Sequence, residues 1–84
     1  MESRVPYEIV RVIKLNNPDH DYNEFGINVR KPIVGDIGTI VEIITNKIDG
    51  NLYIVESTSV DGRPVFLGIF AEGEIETATT EKLA

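Results

Sequence analysis

The residues of this chain that could do chemistry are carboxylates and a single imidazole. Asp19-His20-Asp21, with Glu24 close behind, sets the one histidine among three carboxylates. By donor type such a set suits a metal ion or a general acid–base group. Its spacing argues against both. A metal centre needs three or four donors held at fixed angles, and adjacent residues of one loop cannot all turn to one point. A solvated polar loop is expected there, with no metal and no cofactor.

The second set is Glu42, Glu56, Glu72, Glu74 and Glu76. A carboxylate hydrolase needs two carboxyls a defined distance apart across a cleft, one of them with its pKa raised by burial. Glu74 and Glu76 instead fall two residues apart on one face of a short strand, and that face is expected to be exposed. A domain this small also leaves little room for a deep cleft. With no cysteine and one loop histidine, neither a Ser-His-Asp nor a Cys-His arrangement can be drawn. Gly35-x-x-Gly38 precedes a β-branched run, where a phosphate-binding loop would precede a helix. The expectation is a protein without catalytic activity.

The elements that must position these side chains are short strands. Tyr7–Leu15 is rich in valine and isoleucine and follows Pro6, which reads as a strand. Asn16-Asn17-Pro18-Asp19 stops it. Residues 16–32 then form the most polar stretch, a long, partly ordered first loop. Phe25, Ile27 and Val29 alternate within it and would allow a short strand arm. Gly35 and Gly38 mark a corner or bulge, and Thr39–Ile44 follows as a strand. Asp49-Gly50 is a hairpin signal, and Leu52–Glu56 is its returning strand. Asp61-Gly62 repeats the turn, and Val65–Phe70 is an almost wholly apolar strand. Ala71–Glu74 has room for one helical or 3-10 turn, and Glu74–Ala78 for a last strand with Ile75 inward. Gly35, Gly38, Gly50 and Gly62 are the turn residues. Short strands joined by tight turns predict an all-β fold, a small five-stranded barrel of the SH3-like kind.

Eighty-four residues make one domain near the lower end of what folds alone, read here as residues 1–78. Lys82-Leu83-Ala84 reads as the translated edge of a cloning site, so residues 79–84 are set aside as a tail. No run approaches the ~20 consecutive apolar residues of a membrane span. The start of the chain lacks the basic-then-apolar layout of a leader. No membrane association and a cytoplasmic location are expected. The net charge is −6, from 14 acidic and 8 basic residues. Nucleic-acid affinity comes largely from lysine and arginine on phosphates, so nucleic acid is not an expected partner.

Residues Gly35, Gly38, Thr39, Ile40, Val41 and Glu42, then Tyr53, Val55, Glu56, Asp61 and Gly62, form a pattern that Phe66–Phe70 and Glu72–Ile75 complete. It resembles that of the DUF4926 family of short bacterial proteins of unknown function. The resemblance covers about Gly35–Thr77, implies an SH3-like barrel, and carries no activity with it. The Asn16–Pro32 stretch is longer than the family's usual connection. Gly35-Asp36-x-Gly38-x-Ile40 also looks like part of the KOW motif of RNA-binding ribosomal and transcription proteins. Those modules bring basic residues to this surface, whereas here Asp36 and Glu42 stand there, with none from Gly35 to Asn46.

A barrel strand should be apolar on its inner face only. Val65–Phe70 is apolar on both, and Ile43-Ile44 gives its neighbour the same character. One set must fill the core, leaving the other under the loop or free for contact. Tyr22, Phe25, Ile27, Phe66 and Phe70 are therefore the predicted partner-binding residues. Self-association is the expected use, a homodimer foremost, because a small fold gains stability by burying such a patch. The alternative is a small acidic inhibitor or antitoxin-like protein that covers a basic surface with Asp19, Asp21, Glu24, Glu72, Glu74 and Glu76.

Overall fold

The computed structural model describes residues 4–78, and the tail assigned to residues 79–84 lies outside them. The protein is all-β. Five strands, β1 (Ile9–Val12), β2 (Ile37–Ile44), β3 (Leu52–Thr58), β4 (Pro64–Ala71) and β5 (Ile75–Thr77), form one antiparallel sheet in the order β4-β3-β2-β1-β5. A single 3-10 turn, Glu72–Glu74, separates β4 from β5.

That connection fixes the shape of the sheet. β4 and β5 are its two edges, and a flat sheet of five strands would hold them about 19 Å apart, at roughly 4.8 Å per strand spacing. The chain from Ala71 to Ile75 spans at most about 14 Å even when fully extended. The sheet must therefore curl until its edges approach, as in a small barrel. No ladder bonds join β4 to β5, so the seam stays open.

Alternation builds the core. Tyr53 faces Phe70, Val55 faces Gly68 and Ser57 faces Phe66 across the β3–β4 ladder, and these inward residues are buried. Val10, Val12, Ile40 and Ile75 complete the cluster from the other strands. Removing rings the size of Phe66 and Phe70 from water contributes roughly 1.5–3 kcal/mol each.

The apolar residues on both faces of β2 have a simple cause. The register shifts between Ile40 and Glu42, so Gly38 and Ile40 face inward before the bulge, and Ile43 pairs with the buried Tyr53 after it. One extra residue changes the parity of the strand. At Gly38 the neighbouring strand approaches closely: a Cβ there would lie 2.6 Å from Val55 Cγ1 and 2.9 Å from the Glu56 carbonyl oxygen. Gly35, with φ +103°, makes the corner before it. Gly50 and Gly62 sit in the two hairpin turns, as expected.

Two expectations change. β1 is shorter than Tyr7–Leu15: Tyr7 sits in a turn at φ 69°, and beyond Val12 the Ile13 N–H donates to the Glu74 carbonyl. The arm at Phe25–Val29 is not a strand. Glu24-Phe25 is a turn, Gly26 adopts φ +74°, and the segment meets β4 through only a few bonds. No helix among the described residues is long and apolar enough to cross a membrane.

Candidate functional site

Tyr22 and Glu74 meet inside the molecule, which neither residue's sequence surroundings suggested. Tyr22 holds φ 55° and stacks on Phe70 with ring centroids 5.2 Å apart. It can enter because position 68 is glycine: a Cβ there would lie 3.0 Å from the Tyr22 carbonyl oxygen. The Tyr22 hydroxyl donates to Glu74 Oε2 at 2.5 Å, and the Asn16 N–H donates to the same oxygen at 2.8 Å. Glu74 Oε1 accepts from the Ala71 N–H at 2.7 Å. Burial pushes the Tyr22 phenol up from its usual range, and its bond to the Glu74 carboxylate adds to the rise.

Four placements are corrected here. Tyr22, Phe66 and Phe70 are core residues, at most 2 % exposed, and offer no contact surface. Glu74, expected outward, is 3 % exposed and satisfied by three donors. Phe25 and Ile27 do stand about half exposed on the loop. The loop is tied to the free edge of β4: Val29 N–H donates to the Val65 carbonyl, and Leu67 N–H donates to Asn28 Oδ1. An edge strand with a carbonyl and an N–H occupied in this way is a poorer template for another strand.

The other acidic residues divide into two kinds. Glu72 accepts from Arg4 at 3.0 Å and from the Tyr53 hydroxyl at 2.5 Å, and Glu76 pairs with Arg11 at 3.2 Å. Burial raises the Tyr53 phenol too, helped by that bond to Glu72. Asp19, Asp21 and Glu24 are exposed on the loop. His20 is committed to the local fold: its Nδ1 accepts the Tyr22 N–H at 3.0 Å, and its Nε2 lies 3.8 Å from Glu24. Among the described residues no group of three or more His, Asp or Glu side chains is placed to hold a metal ion.

The apolar surface lies elsewhere, on the outer face of β2, β3 and β4. Cross-strand partners share a face. Outward rows therefore run Ile44–Leu52–Ala71, then Glu42–Ile54–Ile69, then Thr39–Glu56–Leu67. Leu52, Ile54, Leu67 and Ile69 are half-buried, and no helix or other strand of the described chain packs over them. Only two charges interrupt this face, Glu42 and Glu56. The sequence signal for it lies in Val65–Phe70, where Leu67 and Ile69 face outward and Phe66 and Phe70 fill the core. Gly68 was the clue: a glycine inside an apolar strand marks a close backbone approach, and Phe66 and Phe70 flank it on the same face.

No family model, curated protein or solved structure matches this chain.

Proposed function

We propose that this protein is a non-catalytic interaction module that receives a partner chain on the outer face of β2–β3–β4. One observation carries the reading: three cross-strand rows place Ile44, Leu52, Ile54, Leu67 and Ile69 on one outer face, partly exposed and with no other strand or helix of the described chain layered over them. An antiparallel sheet commonly leaves one face to water, but such a face is then polar. Contiguous apolar surface outside the core marks an interaction site more often than chance. With this reading go two further proposals, that the chain is DUF4926-like over Gly35–Thr77 and that it works in the cytoplasm. Self-association, expected at first through Phe66 and Phe70, moves to this face as one of its uses.

The test is a double substitution of outward residues, Ile54→Thr with Ile69→Thr, which keeps the β-branched shape and adds no charge beside Glu42. Both lie outside the core, so the melting temperature should stay within a few degrees of wild type. Capture of interacting protein from a host lysate, or dimerisation seen by light scattering, should be lost. Equal association by the stable variant and the wild type would overturn the proposal.

A further inference from the structure

Two carboxylates stand inside the otherwise apolar outer face, and their positions say what kind of partner the face fits. Glu42 pairs across the ladder with Ile54, and Glu56 lies two residues further along β3 on the same side. They stand in successive outward rows of the same face, Glu42 beside Ile54 and Glu56 beside Thr39, with the β2 bulge between the rows. Their other neighbours on the face are Thr39, Ile54, Leu67 and Ile69, none of them basic. Like charges on one face oppose each other, and no arginine of the fold pairs with either. All four arginines are engaged elsewhere: Arg4 with Glu8 and Glu72, Arg11 with Glu76, Arg30 with Asp36, and Arg63 with Asp61. Among the described residues, Glu42 and Glu56 take part in no ion pair.

Resting on the interaction reading above, we infer that the occupant is a basic amphipathic segment of another protein. It presents apolar side chains to Ile54, Leu67 and Ile69, and a lysine or arginine to Glu42 and Glu56. A second copy of this chain fits less well. A two-fold interface brings the same patch onto itself, so the pair Glu42–Glu56 would meet its own image, between molecules that each carry a net charge of −6. Joining like charges in a desolvating interface costs, whereas a cation from the partner relieves a repulsion the free protein already carries.

The experiment follows amide shifts in the isotope-labelled protein during titration with three synthetic peptides of one length. The first is an amphipathic peptide of leucine and lysine, the second replaces lysine with glutamate, and the third replaces leucine with serine. The leucine–lysine peptide should shift amides on β2, β3 and β4 around Ile54 and Ile69, and should bind about tenfold more weakly to the Glu42→Gln, Glu56→Gln double variant. The other two peptides should bind far more weakly. If the leucine–glutamate peptide binds the same face equally well, or the double variant binds unchanged, the inference fails while the docking face stands. Concentration-dependent shifts at this face with a dimer in sedimentation, and no peptide effect, would make a second copy the occupant and also overturn it. If no probe perturbs the face and the protein is monomeric, the inference and the reading beneath it both fall.

Discussion

At the scale of single residues, the protein turns on a buried carboxylate that forms no ion pair among the described residues. Glu74 gathers the Asn16 N–H, the Ala71 N–H and the Tyr22 hydroxyl, which join two points of the first loop to the end of β4. Glutamine is nearly the same size but brings an NH2 group where one carboxylate oxygen now accepts. A donor would then face a donor, and a buried polar group left without its partner costs about 1–3 kcal/mol. Glu74→Gln is therefore expected to lower stability by about 2 kcal/mol in urea unfolding. Tyr22→Phe should cost less, because it keeps the stack on Phe70 and leaves two of the three donors in place. Equal stability of Glu74→Gln and wild type would show that the clasp adds nothing. None of this was legible beforehand. The glutamate sits in an acidic run that reads as solvated, and the tyrosine in a polar loop, and their meeting depends on a sheet curled enough to bring the two together.

At the scale of elements, more of the fold is legible in the sequence, and the reasons are local. The bounds of β3 and β4 nearly match the β-branched runs, and the Asp49-Gly50 and Asp61-Gly62 turns lie where the dipeptides put them. Ala71–Glu74 holds the 3-10 turn for which it had room. What the runs do not encode is facing. A strand apolar on both sides gives no parity signal, and in β2 a bulge reverses the parity part-way along. The glycine corner was legible as a corner, but its tightest point is a contact with a strand that is distant in sequence. Gly38→Ala puts a Cβ 2.6 Å from Val55 Cγ1 and 2.9 Å from the Glu56 carbonyl, and backbone cannot move aside as a side-chain tip can. The expected loss is about 1–3 kcal/mol, with the β2–β3 pairing the first to loosen. Hydrogen exchange measures it: amides of Ile40 and Val55 should lose protection, and unchanged rates there would contradict the contact.

At the scale of the whole molecule, the open seam and the acidic balance together set the response to pH. Side chains tie the ends of the sheet. Arg4 donates to the Ile75 carbonyl and reaches Glu8 and Glu72, and Arg30 holds Asp36 beside the glycine corner through two bonds of 2.9 Å. Burial works to raise the Asp36 pKa, but the Arg30 guanidinium and the Ile33 N–H overcome it and hold the carboxyl below its usual range. Glu8 is lowered in the same way: burial opposes, and the Thr77 hydroxyl, the Val5 N–H and Arg4 prevail. A carboxyl whose pKa is lower folded than unfolded leaves the unfolded chain binding more protons between the two values. Stability therefore rises with pH across that window. The contribution is whole above the unfolded value of about 4 and is lost as pH falls through the folded one. Protonation also reduces the charge of −6, and that relief of repulsion acts the other way. The repulsion is between mostly exposed groups and weakens with salt, whereas the Ile33 N–H bond to Asp36 does not depend on it. Melting temperature followed from neutral pH to about pH 3 in moderate salt is accordingly expected to fall steeply below about pH 4. Asp36→Asn should start lower at neutral pH and decline less on acidification. A wild-type melting temperature that climbs throughout the acid range would mean that the net charge, and not these two held carboxylates, governs the stability of the fold.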